Sequence, residues 1–211
     1  MKKIIAFLSQ KGGVGKSTLA RAVACEASKS GLSVMLADLD TQQGTAVEWH
    51  RQRISNEYEP VGNVEAFDRV SQAVRTGEDF DLLIIDGTPR ASIGTLEAAQ
   101  SADLTVLPCC ASRDDLVPGL KLAYELEQKG VPKKNIVLAL VRVTTQAEIA
   151  DAREYIGQSG FTVLEGCLYE KPAYRQAQNQ GLAVTETRYS TLNQKADKLL
   201  ESILQHLTED E

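Results

Sequence analysis

The sequence predicts one α/β domain, a mostly parallel, twisted sheet with helices on both faces. Three observations carry that prediction. Short, nearly continuous apolar runs alternate with helical patterns along the chain. A glycine-rich turn, Gly12-Gly13-Val14-Gly15, joins the first run to the first helix. Aspartates (Asp38, Asp40 and Asp86) stand at the carboxyl ends of later runs, the edge at which such sheets bind ligands.

The strand-like runs are residues 4–9, 34–38, 82–86, 104–108, 136–143 and 161–164. The helical patterns are 18–29, 46–55, 68–76, 93–99, 114–129, 146–158 and 192–207. Runs apolar at nearly every position imply strands covered on both faces, hence a parallel sheet. A chain of 211 residues can bury one full core. No repeat, low-complexity tract or linker divides it, so residues 1–211 are expected to form a single domain without an N-terminal helix-turn-helix domain.

Composition narrows the classes. A net charge of −6 leaves no global basic footprint, so nucleic acid could be held only by a local patch. The first apolar run is too short for a signal peptide, and no stretch approaches the ~20 residues of a membrane span. Cys25, Cys109, Cys110 and Cys167 form no C-x-x-C pair, which reads as inert thiols in a reducing cytosol and argues against iron–sulfur carriers.

The turn after the first strand ends Gly15-Lys16-Ser17, the ending of a phosphate-binding P-loop. Glycines let consecutive N–H groups converge on phosphate oxygens at a helix N-terminus. The cofactor-binding turn is therefore Gly12, Gly13, Val14, Gly15, Lys16, Ser17 and Thr18. Lys16 reaches the β- and γ-phosphates, and the Ser17 hydroxyl can ligate Mg²⁺. The ordinary pattern wants glycine where Gln10 stands, and a lysine, Lys11, precedes the shifted glycines. A ligand-free Gly/Lys turn is the alternative, but the flanking strand and helix supply the context of a nucleotide site.

Lys11-Gly12-Gly13-x-x-Lys16-Ser17 resembles the deviant Walker A motif of the ParA/MinD family of ATPases, most closely the small, ParF-like ParA proteins. The resemblance runs through nearly the whole chain and implies a P-loop NTPase fold with ATP and Mg²⁺ as cofactors. It also makes Lys11 the signature lysine, which crosses a dimer interface to act catalytically at the partner's nucleotide.

Asp38-Leu39-Asp40-Thr41-Gln42 is similar to the family's Asp-x-Asp-Pro-Gln, with Thr41 in place of proline. By that match Asp40 positions the attacking water and Asp38 helps organise Mg²⁺ and its waters; strand-end solvation or a helix cap is the alternative. Asp86 closes a Walker B run and can hold Mg²⁺ directly or through water. Pro108 and Asp115 resemble a segment near the dimer interface. The segment from Glu170 to Gly181 resembles the family's adenine region, with Pro172 as the base contact. No guanine motif is found: Gln194-Lys195-Ala196-Asp197 reads as a solvated helix face, which favours ATP.

Arg142, Lys171, Arg175 and Arg188 are the expected DNA-facing cations; solvated or salt-bridged arginines are the alternative. The last helix carries Leu199, Leu200, Ile203, Leu204 and Leu207 at helical spacing and ends Thr208-Glu209-Asp210-Glu211. Anionic lipid would repel that tail, so core packing is expected and no stable membrane association. The expected protein is a slow Mg²⁺-ATPase of the cytoplasm that dimerises on ATP and then binds non-specific DNA of the nucleoid. A small DNA-binding adaptor would stimulate hydrolysis, and plasmid or other cargo would be partitioned. The competing readings are a MinD-like membrane ATPase and a metabolic P-loop enzyme of the dethiobiotin synthetase type.

Overall fold

The computed structural model describes residues 2–88 and 93–208. Its strands are β1 (Lys3–Phe7), β2 (Val34–Asp38), β3 (Asn63–Ala66), β4 (Leu82–Asp86), β5 (Leu104–Cys109), β6 (Ile136–Val143), β7 (Thr162–Val163) and β8 (Leu168–Tyr169). The helices are α1 (Lys16–Lys29), α2 (Thr45–Ser55), α3 (Val70–Thr76), α4 (Ile93–Ser101), α5 (Arg113–Gln128), α6 (Gln146–Gly157), α7 (Pro172–Gln178) and α8 (Ser190–Thr208).

The strands pair in the order β3-β2-β4-β1-β5-β6-β7, with β8 on β6. All these pairings are parallel. β2, β4 and β5 are buried at every position, as their apolar runs require. One face packs against α1, α2 and α8 through Leu19, Val23, Trp49, Leu199 and Ile203. The other packs against α3 to α6 through Val70, Ala98, Leu116, Leu120 and Ile149. The apolar stripe of α8 is thus core, while residues 209–211 lie outside the described ones. Among the described residues no helix is long and apolar enough to cross a membrane.

The structure adds two strands that the apolar pattern did not reveal. β3 is an edge strand with Val64 buried and Glu65 and Ala66 exposed. β8 is two residues long and pairs across a bulge in β6. A clasp fastens α2 to the segment between α7 and α8. Arg53, only 4% exposed, pairs with both Glu186 oxygens at 2.7 and 2.9 Å and donates to the Gly181 carbonyl at 3.1 Å. Beside it the Trp49 indole donates to the Leu182 carbonyl at 3.1 Å.

Candidate functional site

The site grows from the turn between β1 and α1. Gly13 and Gly15 adopt φ of 72° and 99°, the left-handed region that side chains with a Cβ avoid. Gly15 is also the N-cap of α1 and offers no side chain, so the first N–H groups of the helix remain for a ligand. A cavity of about 470 Å³ opens over this turn. Its walls include Gly12, Gly13 and Gly15 to Thr18, then Asp40, Gln43 and Thr45 beyond β2, then Arg142, Leu168 to Lys171, and Tyr174, Arg175 and Gln178.

Lys16 is 6% exposed, and its Nζ donates to the Lys11 carbonyl at 3.3 Å. Burial lowers its pKa, opposed by the charges of Asp86 and Asp40. The parallel register brings Asp38 and Asp86 side by side at the carboxyl edge. Asp86 is 2% exposed and reaches the cavity through the Ser17 hydroxyl, which hydrogen-bonds to it. Burial pushes the Asp86 pKa up to about 7, against the Ser17 hydrogen bond. Its Oδ1 is buried without a partner.

That orphaned oxygen beside a hydroxyl makes an all-oxygen donor set, the kind a hard cation takes. Among the described residues no group of three or more His, Cys, Asp or Glu could hold a metal alone. An ion such as Mg²⁺ therefore fits here if phosphate oxygens complete its shell, with Ser17 and Asp86 as the protein's share.

A pH dependence follows. Because the folded-state pKa of Asp86 lies above the ordinary carboxylate value of 3.8, the metal-free fold binds this proton more tightly than the unfolded chain. The associated stability is present below the ordinary value and is lost as pH rises through about 7. At 1.36 kcal/mol per pKa unit the full span is on the order of 4 kcal/mol. Asp86→Asn should flatten that dependence. Melting temperatures of the metal-free wild type and variant from pH 5 to 8 test it, and equal slopes would refute the assignment.

Asp38 is fully buried, and its two oxygens accept the Asp40 N–H at 3.0 Å and the Ala46 N–H at 2.8 Å. It therefore caps the start of α2 and shapes the turn that presents Asp40. Each oxygen accepts one backbone N–H, so the helix-cap alternative is realised, and a second lone pair on each oxygen is left for waters around a metal. Asp40 stands on the cavity wall, its carboxylate touched by the Gln43 N–H at 3.3 Å. Lys11 folds back on its own chain, with Nζ on the Asp114 carbonyl and on Asp115 Oδ1 at 2.9 Å.

The four expected DNA cations do not share one surface. Arg142, Lys171 and Arg175 line the cavity. Arg142 sits at the bulge of β6 with φ of 53°, which turns its guanidinium to the Gly13 carbonyl at 3.2 Å. Glu170 bridges it, at 2.7 Å, to Arg175. Arg188 lies apart, over the Tyr189 ring. Pro172 starts α7 at the rim, exposed and outside the residues that form the wall. Tyr174 and Gln178 line the wall there, one turn apart on α7, and Thr18 Oγ1 donates to Gln178 Oε1 at 3.1 Å. The sequence reasoning missed these two, and also Arg21 and Thr45; only the i, i+4 spacing on α7 could have signalled the pair.

Comparison with known proteins shows the family. The model of the CobQ/CobB/MinD/ParA nucleotide binding domain matches residues 5–205. A maintenance of carboxysome distribution protein A from Gloeobacter kilaueensis is 26% identical over 188 residues, 88% of this chain and 85% of that protein. Protein ParA of Rhizobium radiobacter is 27% identical over 186 residues, 81% of this chain and 80% of that protein. The solved structure of the septum site-determining protein MinD of Pyrococcus horikoshii, complexed with Mg-ADP, superposes with a TM-score of 0.75 at 18% identity, covering 96% of each chain.

Proposed function

The chain belongs to the CobQ/CobB/MinD/ParA nucleotide-binding family, and from that premise we propose that it is a Mg²⁺-dependent, ParA-type ATPase that positions cargo. ATP lies in the cavity with its phosphates on the Gly12–Thr18 turn and its base against α7. Lys16 donates to the β- and γ-phosphates, and Ser17 and Asp86 hold the metal. Bound Mg²⁺ supplies charge neutralisation across the phosphates. Asp40 orients the attacking water, so catalysis is positioning more than covalent chemistry.

Two subunits sandwich two ATP molecules, and the assembled dimer binds DNA without sequence preference. An adaptor protein on the cargo stimulates hydrolysis and releases the dimer. The relatives named for ParA and for carboxysome distribution support partition or positioning as the task.

The observation that carries this reading is Lys11. Its side chain is 41% exposed, sits beside the P-loop glycines and is tied at the start of α5 to Asp115. Exchange of that surface ion pair for the partner's phosphates costs little, since solvent screens exposed pairs and they add little to stability. Lys11→Ala is expected to bind ATP within about threefold of wild type and to remain monomeric. Asp40→Ala is expected to bind ATP, hydrolyse it at least about a hundredfold more slowly, and stay dimeric. Light scattering with ATP and Mg²⁺ decides between outcomes: a Lys11→Ala protein that dimerises normally removes the sandwich role.

A further inference from the structure

Arg21 has no part in the mechanism above, yet it lines the same cavity from the second turn of α1. Its Nη2 donates to the Thr45 carbonyl at 2.5 Å, the first residue of α2. Its guanidinium carbon lies 5.6 Å from the centre of the Trp49 ring, one turn further along that helix. Its Nε is buried and has no partner. A buried guanidinium N–H left open is costly, so packing on Trp49 alone does not account for an arginine here. The Thr45 hydroxyl meets Ser17 Oγ at 3.3 Å, and Ser17 in turn bonds Asp86. Thr45 is therefore held from two sides, by its hydroxyl at the metal-binding serine and by its carbonyl at Arg21.

We propose that Arg21 is a positioning residue that couples occupancy of the metal–nucleotide site to α2, through Thr45. The inference rests on the nucleotide reading above. A Ser17 oxygen engaged by a metal is a poor acceptor for the Thr45 hydroxyl, so metal binding weakens one of the two ties. Arg21 is the other, and it keeps the start of α2, and with it the Asp40 turn, in register with the phosphates. The planar fork spans the carbonyl and the indole face together, which a lysine ammonium cannot do.

The test uses the full chain, a fluorescent ADP analogue, Mg²⁺ and the emission of Trp49, the only tryptophan. In wild type, adding Mg²⁺ to the ADP-bound protein is expected to change Trp49 emission. Arg21→Lys should melt close to wild type and bind the analogue within about threefold. It should lose most of the Mg²⁺-dependent emission change, and kcat should fall about tenfold or more with KM nearly unchanged. Thr45→Ala should lose the emission change too, because its hydroxyl is the tie the metal weakens. Its carbonyl still serves Arg21, so kcat should stay within about threefold and the double variant should be no worse than Arg21→Lys.

An Arg21→Lys protein with wild-type kcat and emission response overturns the inference and leaves the nucleotide site standing. Losses that simply multiply in the double variant also overturn it, because the residues then act independently. If Arg21→Lys does not fold, Thr45→Ala alone decides: an unchanged emission response overturns the coupling. A wild type that does not bind the analogue with Mg²⁺ brings down the nucleotide reading and this inference together.

Discussion

Lys16→Ala is expected to abolish nucleotide binding, with a loss on the order of a thousandfold in affinity. The ammonium carries charge-assisted hydrogen bonds to two phosphates, each contributing about 1.5–3 kcal/mol. The alanine also leaves the phosphates facing Asp40 on the cavity wall and Asp86 behind Ser17, acids whose charges Lys16 balances. Of the neighbouring cations, Lys11 serves the partner's nucleotide in the dimer and Arg142 is committed to Gly13 and Glu170. The expected result is no saturable binding of fluorescent ADP or ATP at concentrations that saturate the wild type, with the fold retained by circular dichroism. Affinity within tenfold of wild type would mean that the cavity is not a phosphate site.

The second large effect is the salt dependence of DNA binding by the ATP-locked Asp40→Ala dimer. At a net charge of −6 the chain is repelled by duplex at long range, so affinity must come from focused local charge. Each neutralised phosphate contributes roughly 0.9 to the slope of log K against log salt. A dimer engaging about six phosphates should lose on the order of a thousandfold in affinity between 50 and 200 mM salt. Binding should need ATP and Mg²⁺ and be indifferent to sequence, because phosphate contacts carry no base information.

Three of the candidate cations line the nucleotide cavity, so changing them disturbs two functions at once. Arg188, away from that wall, is the clean probe. Arg188→Glu should weaken binding on every duplex alike and lower the slope by about two contacts per dimer. A locked dimer that ignores unrelated duplexes even at low salt would point to a positioning ATPase that travels on another matrix.

What could be read in advance follows from the range of the interactions. The turn from β1 into α1 is legible because glycine, lysine and serine act within a few residues of one another. Asp86 is legible because it ends a run buried on both faces. Asp40 is legible because it follows the end of β2, at the ligand edge of the sheet, and Asp38 shapes the turn that presents it. Arg142 is less so. Its charge suggested a solvent-facing contact, but a bulge against β8, itself too short to leave a pattern, turns it toward Gly13. Tyr174 and Gln178 share a helical face that the chain alone does not orient, and only the docking of α7 over Thr18 makes them the far wall of the cavity.

The clasp at Arg53 gives α2 the mechanics of a lever. Its fulcrum is the buried pair with Glu186, and its working end is Thr45, about 12 Å away at 1.5 Å per residue. A tilt of about 5° around that fulcrum moves Thr45 by about 1 Å, enough to make or break a hydrogen bond at the phosphate end. The fulcrum itself rests on residues 181–186, the segment that continues directly from α7. The two ends of the cavity therefore share one mounting: whatever presses on the base wall shifts the pivot, and whatever pulls on Thr45 loads the base wall in return.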